Sequence, residues 1–190
     1  MNQMKKITSL KLLALTVFFS QFSYAQSSME KTVQVGGATM YPSKNIIENA
    51  VNSKDHTTLV AAVKAVGLVE TLQSAGPFTV FAPTNDAFGM LPTGTVETLV
   101  KPENKSTLTA ILTYHVVAGK YSAADLMKLI KEGKGSTYLK TIQGGSLWFM
   151  MKGKALLVKD EKSGVAAITI KDVNQSNGVI HVIDHVLMHQ

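Results

Sequence analysis

The densest cluster of chemically able side chains lies in NGVIHVIDHVLMH, residues 177–189. It holds three of the chain's five histidines, His181, His185 and His189, with Asp184 among them. The spacing is i, i+4, i+8. On a helix that would stack three imidazoles on one face, an arrangement open to a zinc site. On a strand, His181, Ile183, His185, Leu187 and His189 instead share one face, and four residues span roughly 13 Å. Zinc lies only about 2 Å from each ligand. Asn177-Gly178 is a hairpin-turn signal, and the residues after it are dense in Val and Ile. A strand is therefore expected and a metal site is not. His181 should pack or hydrogen-bond at the sheet, with His185 and His189 progressively solvated. Asp184, inside an apolar strand, should accept hydrogen bonds from backbone or hydroxyl groups.

A second pair able to do acid–base chemistry is Tyr114-His115. His115 shares an apolar helical face with Leu108, Ile111 and Leu112, on a stretch running from Lys105 to about Val116. A buried, hydrogen-bonded histidine is the expected outcome. Other chemistry has no foothold. The chain lacks a G-x-S-x-G nucleophile elbow, a Walker loop and a G-x-G-x-x-G after a strand. Its 13 acidic residues single out no pair. No catalytic, cofactor-binding or metal-ligating residue is assigned, and a non-enzymatic protein is expected.

The elements that position these residues change character along the chain. Lys5, Lys6 and Lys11, the apolar run Leu12–Phe19 and the small residues before Ala25 have the form of a signal peptide over residues 1–25. The run is far shorter than the ~20 residues of a membrane span. Residues 26–42 read as an arm, and 43–190 as one domain. Short helices are expected around Ile46–Val51, over HTTLVAAVKAVG with Gly67 at its exit, and over LVETLQSA. FTVFA, Phe78–Ala82, is strand-like. Thr84 then suits the N-cap of a helix starting at Asn85, with Asp86 favouring the helix dipole. After the Lys105 helix and SAADLMKLIKEG, the chain is strand-like from Ser136 onward, punctuated by glycine turns. Helices first and strands last imply an α+β domain with a mainly antiparallel sheet.

Composition narrows the partners. All 19 basic residues are lysine. Arginine is the usual reader of phosphate and base edges, so its absence and the scatter of the lysines argue against nucleic acid. The formal charge of +6 falls to about +3 once the three leader lysines go. With no cysteine, an exported chain cannot use disulfides and must rest on its core. A soluble monomer in the periplasm or outside the cell is expected.

Two segments then become recognisable together. FTVFAPTNDAF, at Phe78–Phe88, resembles the first signature of the fasciclin (FAS1) domain, and NGVIHVIDHVLM, at Asn177–Met188, resembles the second. Tyr114-His115, in YHVVAGK, is similar to the family's tyrosine-histidine motif and lies between them. The likeness runs from about Val33 to the C-terminus. It implies a twisted β-wedge or sandwich with several helices packed alongside. It also implies an extracellular role in adhesion or protein interaction. Asp172-Val173 stands where some animal members carry an Asp-Ile pair associated with integrin binding. The resemblance therefore marks Tyr114, His115, Asp172 and Val173 as interaction candidates, and leaves Thr84, Asn85, Asp86, His181 and Asp184 as structural motif residues.

Three functions remain in order. The first is a secreted module binding a protein or surface polymer. The second is a carrier of a small molecule or carbohydrate in a cleft of several hundred Å³ lined by aromatics such as Trp148. The last is a metal protein or enzyme using the C-terminal histidines.

Overall fold

The computed structural model describes residues 31–190, so the segment read as a signal peptide lies outside the described residues. The arm is not a mere lead-in. From Val33 it folds into a hairpin, β1 (Val33–Val35) and β2 (Ala38–Met40), which delivers Val35 and Met40 into the core. Helices α1 (Ile46–Ala50), α2 (Thr57–Val66) and α3 (Val69–Gln73) follow. Asn45 and Glu48 form a capping box on α1, and Gly67 closes α2 in the left-handed conformation.

Strand β3 (Phe78–Pro83) leads into α4 (Asn85–Gly89), whose N-cap Thr84 accepts a hydrogen bond from the Ala87 amide. Helices α5 (Thr95–Leu99) and α6 (Lys105–Tyr114) come next. The Lys105 helix ends at Tyr114, earlier than its apolar spacing suggests. The β-branched pair Val116-Val117 instead begins β4 (Val116–Ala118), which takes the free edge of β3. Helix α7 (Ala123–Glu132) starts at a capping box of Ser122 and Asp125. The strand-rich half is β5 (Ser136–Lys140), β6 (Ser146–Lys152), β7 (Ala155–Lys159), β8 (Val165–Gln175) and β9 (Gly178–Ile183).

Seven strands form one sheet in the order β4-β3-β9-β8-β7-β6-β5. Every pairing is antiparallel except β3 with β9. The sheet curls until its ends touch: Val117 bridges Thr141, and the Ile142 amide donates to the Val116 carbonyl at 2.7 Å. The α+β wedge of mainly antiparallel strands expected from the sequence is the observed architecture.

The curl produces two cores. One lies between the sheet and α1–α3 and α6, where Val80, Ala82, Ile180 and Val182 meet Ile46, Val63, Leu72 and Leu112. The other fills the inside of the curl, where Phe81, Phe149, Val158 and Ile183 meet Leu126 and Ile130 of α7. Strands β3 and β9 stand between the two cores, so all six residues of β9 are buried. That is why this segment reads as an apolar run and not as a clean alternation.

Replacing Thr84 with Ala removes the α4 cap. Urea denaturation of Thr84→Ala is expected to show a loss of about 1 kcal/mol with an unchanged slope.

Candidate functional site

The second motif begins with a staple. The Asn177 side-chain oxygen accepts from the Ile46 amide at 3.0 Å, and its Nδ2 donates to the carbonyls of Leu72 and Ser74, each at 2.8 Å. One side chain thus ties α1 and α3 to the start of β9. A side chain at Gly178 would strike the Phe78 carbonyl of the paired strand, so only glycine fits.

His181 is fully buried in the second core, stacked on Phe81 at 5.7 Å between ring centroids. Its Nδ1 accepts from the Asp172 amide at 3.3 Å and its Nε2 donates to the Tyr121 carbonyl at 2.9 Å. Those partners fix the proton on Nε2. Beyond Ile183 the strand stops and the one-face alternation of histidines breaks. The cause is Asp184, whose carboxylate turns back to accept from the Ala167 amide at 2.7 Å. Its Oδ1 also holds His185 Nδ1 at 2.8 Å, with both side chains partly solvated. His189 leans on the Tyr114 ring at 5.8 Å. Each of the three imidazoles has its own neighbours. Among the described residues no group of three or more His, Cys, Asp or Glu side chains is placed to hold a metal ion.

Tyr114 and His115 end α6 inside the molecule. Tyr114 is 0% exposed; its hydroxyl donates to the Ser146 carbonyl at 2.7 Å and accepts from the Glu161 amide at 3.0 Å. Burial raises its pKa to about 12, with the Glu161 and Asp160 charges adding to the rise and the Glu161 amide opposing it. His115 Nδ1 donates to the Ile111 carbonyl at 2.8 Å, and Nε2 accepts from the Leu187 amide at 2.9 Å. The proton therefore sits on Nδ1, and the ring clips the C-terminal segment to α6. Burial lowers its pKa to about 4, against opposing effects from the Ile111 carbonyl and Asp160.

Asp172 sits in an irregularity of β8 with φ of 60°, a left-handed conformation that aspartate tolerates better than most residues. Its Oδ1 accepts from the Ala123 amide at the start of α7, at 2.7 Å. Val173 is buried in the first core. Of the four interaction candidates, Tyr114, His115 and Val173 offer a partner no surface, and Asp172 is half-buried. In the first motif, Asn85 Oδ1 accepts from the Thr58 amide and Thr57 hydroxyl, while Nδ2 donates to the Lys54 carbonyl. It therefore caps α2 from outside. Asp86 is exposed in the first turn of α4.

One residue passed over in the sequence is His56. It is 3% exposed, with Nδ1 at 2.9 Å from the Ser53 hydroxyl. Its Nε2 is the buried side-chain polar atom left without a hydrogen-bond partner among the described residues. Burial pushes its pKa down, and the Ala82 backbone and Asp55 pull the other way; the Ala82 group is close without closing a hydrogen bond. His56 borders an apolar cavity of ≈ 60 Å³ between α1–α3 and β3, with Val63, Leu72, Phe78 and Phe81 also on its wall. Trp148 lies elsewhere. It faces outward over an open depression of ≈ 260 Å³ on β6 and β7.

Comparison with known proteins gives the same picture. A family model described as Fasciclin domain matches residues 54–189. Protein sll1483 of Synechocystis is 48% identical over 160 residues, which is 84% of this chain and 81% of that protein. Immunogenic protein MPB70 of Mycobacterium bovis is 37% identical over 170 residues, 87% of this chain and 78% of the other. Among solved structures, a FAS1 domain pair from the insect cell adhesion molecule Fasciclin I aligns with a TM-score of 0.69 at 18% identity, covering 84% of this chain and 58% of that one.

His56, His115 and His181 are all held below the usual histidine pKa by burial. The unfolded chain binds protons on them near pH 6.5 and the folded chain does not, so their stability contribution is full above that pH and is lost as pH falls toward the folded values. Below pH 6.5 His115 is expected to cost about 1.4 kcal/mol per pH unit down to about pH 4, and His56 and His181 lower stability in the same direction. Urea midpoints should drop between pH 7.5 and pH 5. At pH 7.5, His115→Ala should lose about 1–3 kcal/mol, because the Leu187 amide and Ile111 carbonyl are left buried without partners.

Proposed function

The chain belongs to the fasciclin domain family, and on that footing we propose that it is an exported, non-enzymatic interaction module. It would bind a protein or a surface polymer of the cell envelope or its surroundings. The observation that carries this reading is the fate of the motif side chains. Asn85, Tyr114, His115, Asn177 and His181 each spend their polar atoms on the chain's own backbone. None is left to act on a substrate, so recognition falls to the outer surface. The Fasciclin I structure comes from a cell adhesion molecule, which supports the same class of activity.

Export rests on the signal-like residues 1–25, and no helix among the described residues is long and apolar enough to cross a membrane. Asp172 is the one interaction candidate with an exposed share; its backbone is held by His181, whereas Tyr114 and His115 bond elsewhere, to Ser146, Glu161, Ile111 and Leu187, and Val173 is buried beside it.

One observation favours a second reading, as carrier of a small apolar molecule: the unpartnered His56 Nε2 at an apolar cavity. The cavity of ≈ 60 Å³ is far below the several hundred Å³ of an ordinary ligand pocket, so the cargo would be a molecule of few heavy atoms.

Two measurements decide between these. Mature protein added to envelopes of its own producing cells should be retained above a control domain of equal charge; equal retention contradicts the interaction reading. Native mass spectrometry of protein purified from those cells should show the unliganded mass. A constant small added mass, lost in His56→Phe, would favour the carrier.

A further inference from the structure

The lysines that look scattered along the chain are gathered by the fold. Residues 41–133, which build the helical side, hold eight lysines and eight acids. Residues 134–175, which build β5–β8, hold seven lysines and three acids. The acids are Asp160, Glu161 and Asp172; Asp172 accepts from the Ala123 amide, and the other two are likewise turned onto backbone amides. Asp160 accepts from Gly164 at 2.6 Å and Met188 at 2.8 Å; Glu161 accepts from Ser146 at 2.9 Å and Gln190 at 3.3 Å.

Strand register shows what this basic region presents. Leu147, Phe149, Leu156 and Val158 point into the curl, so their neighbours point out. On that outer face Tyr138 lies opposite Trp148, Trp148 opposite Lys159, and Lys159 opposite Val165. The next row sets Met150 opposite Leu157. Tyr138 is 59% exposed and Val165 43%. Lys140 stands two residues from Tyr138, and Lys152 two from Met150, both exposed on the same face. No outward position on β5, β6 or β7 is acidic; the acids that line the depression beside Trp148 are Asp160 and Glu161, whose carboxylates are bonded to backbone amides.

We propose that the outer face of β5–β8 is the docking surface, and that its partner is an acidic polysaccharide, a chain of uronate-bearing sugars. This rests on the interaction-module reading and names its surface and partner class. The chemistry follows from the two components of the face. Flat aromatic rings bury the apolar C–H faces of sugar rings, and a tryptophan beside a tyrosine spans successive units. Lysines around them meet carboxylates as point charges, without the planar fork that phosphate recognition favours. Charge complementarity sets the sign of the partner, and the aromatic row sets its kind.

Affinity electrophoresis tests it, with the mature protein run through gels containing polygalacturonate, neutral dextran, poly-L-glutamate or a single-stranded oligonucleotide. Polygalacturonate should retard the protein most and dextran least. Trp148→Ala, with an unchanged melting curve, should weaken retardation by roughly tenfold, the size of a central aromatic contact. Lys140→Gln with Lys159→Gln should weaken it and flatten its salt dependence. Lys64→Gln with Lys105→Gln removes the same charge from the helical side and should have no effect. Equal weakening by both lysine pairs would overturn the proposal in favour of diffuse charge attraction. Poly-L-glutamate or the oligonucleotide bound as tightly as polygalacturonate would overturn it, as would no retardation at all. Envelope retention that survives Trp148→Ala and both lysine pairs would leave the interaction module standing and remove this surface.

Discussion

A strand buried on both faces can carry polar side chains only where each finds a partner. Strand β9 meets that constraint with His181 at its centre and Asn177 just before its first residue. The parallel pairing with β3 puts both strands between the two cores, so whatever they carry is shared by the helical layer and the curled sheet. Asn177 holds the helical layer, and His181 holds the chain at Tyr121 and the bend at Asp172. His115 then clips the C-terminal segment at Leu187 to the end of α6. Three neutral, fully used polar side chains therefore set where the loops and helices lie.

This arrangement separates architecture from recognition. Tyr114, His115, Asn177 and His181, which look chemically able in the sequence, are consumed inside, and the groups facing water on β5–β8 are mainly aromatic, apolar, hydroxyl and cationic. The strain at Asp172 has a structural use on the same terms. Its left-handed backbone turns the amide toward His181 and the carboxylate toward the first amide of α7. Among the described residues, the His56 nitrogen at its small cavity is the buried side-chain polar atom left without a hydrogen-bond partner.

Much of this was legible in the residues. The Thr84 cap, the Gly67 exit, the β3 strand and the strand-rich half from Ser136 all follow from local propensity and turn chemistry. Burial of His181 at the sheet and solvation of His185 were legible as well, whereas His189, expected to be the more solvated, is half-buried against Tyr114. Long-range partners were not. Asn177 reads as a turn residue beside Gly178, yet it bonds Ile46 at a separation of 131 residues, which no local pattern encodes. β4 was hidden because its three residues continue a helical apolar spacing, and only the open edge of β3 makes them a strand. The arm was underestimated because Val35 and Met40 gain their value from a core assembled by later segments. The outward basic face was missed for a related reason: the lysine-rich stretch from Lys134 to Lys171 becomes a patch only after β5–β8 stack in register.

The imidazole tautomers test the central claim most directly, since they report the internal hydrogen bonds themselves. Long-range ¹H–¹⁵N correlation spectra of the mature protein should show His115 protonated at Nδ1 and His181 at Nε2. His115 should stay neutral from pH 8 down to pH 5 for as long as the chain is folded, His181 should titrate below the ordinary histidine value, and both should ignore added zinc. Either ring titrating near pH 6.5, or moving on zinc addition, would contradict the account.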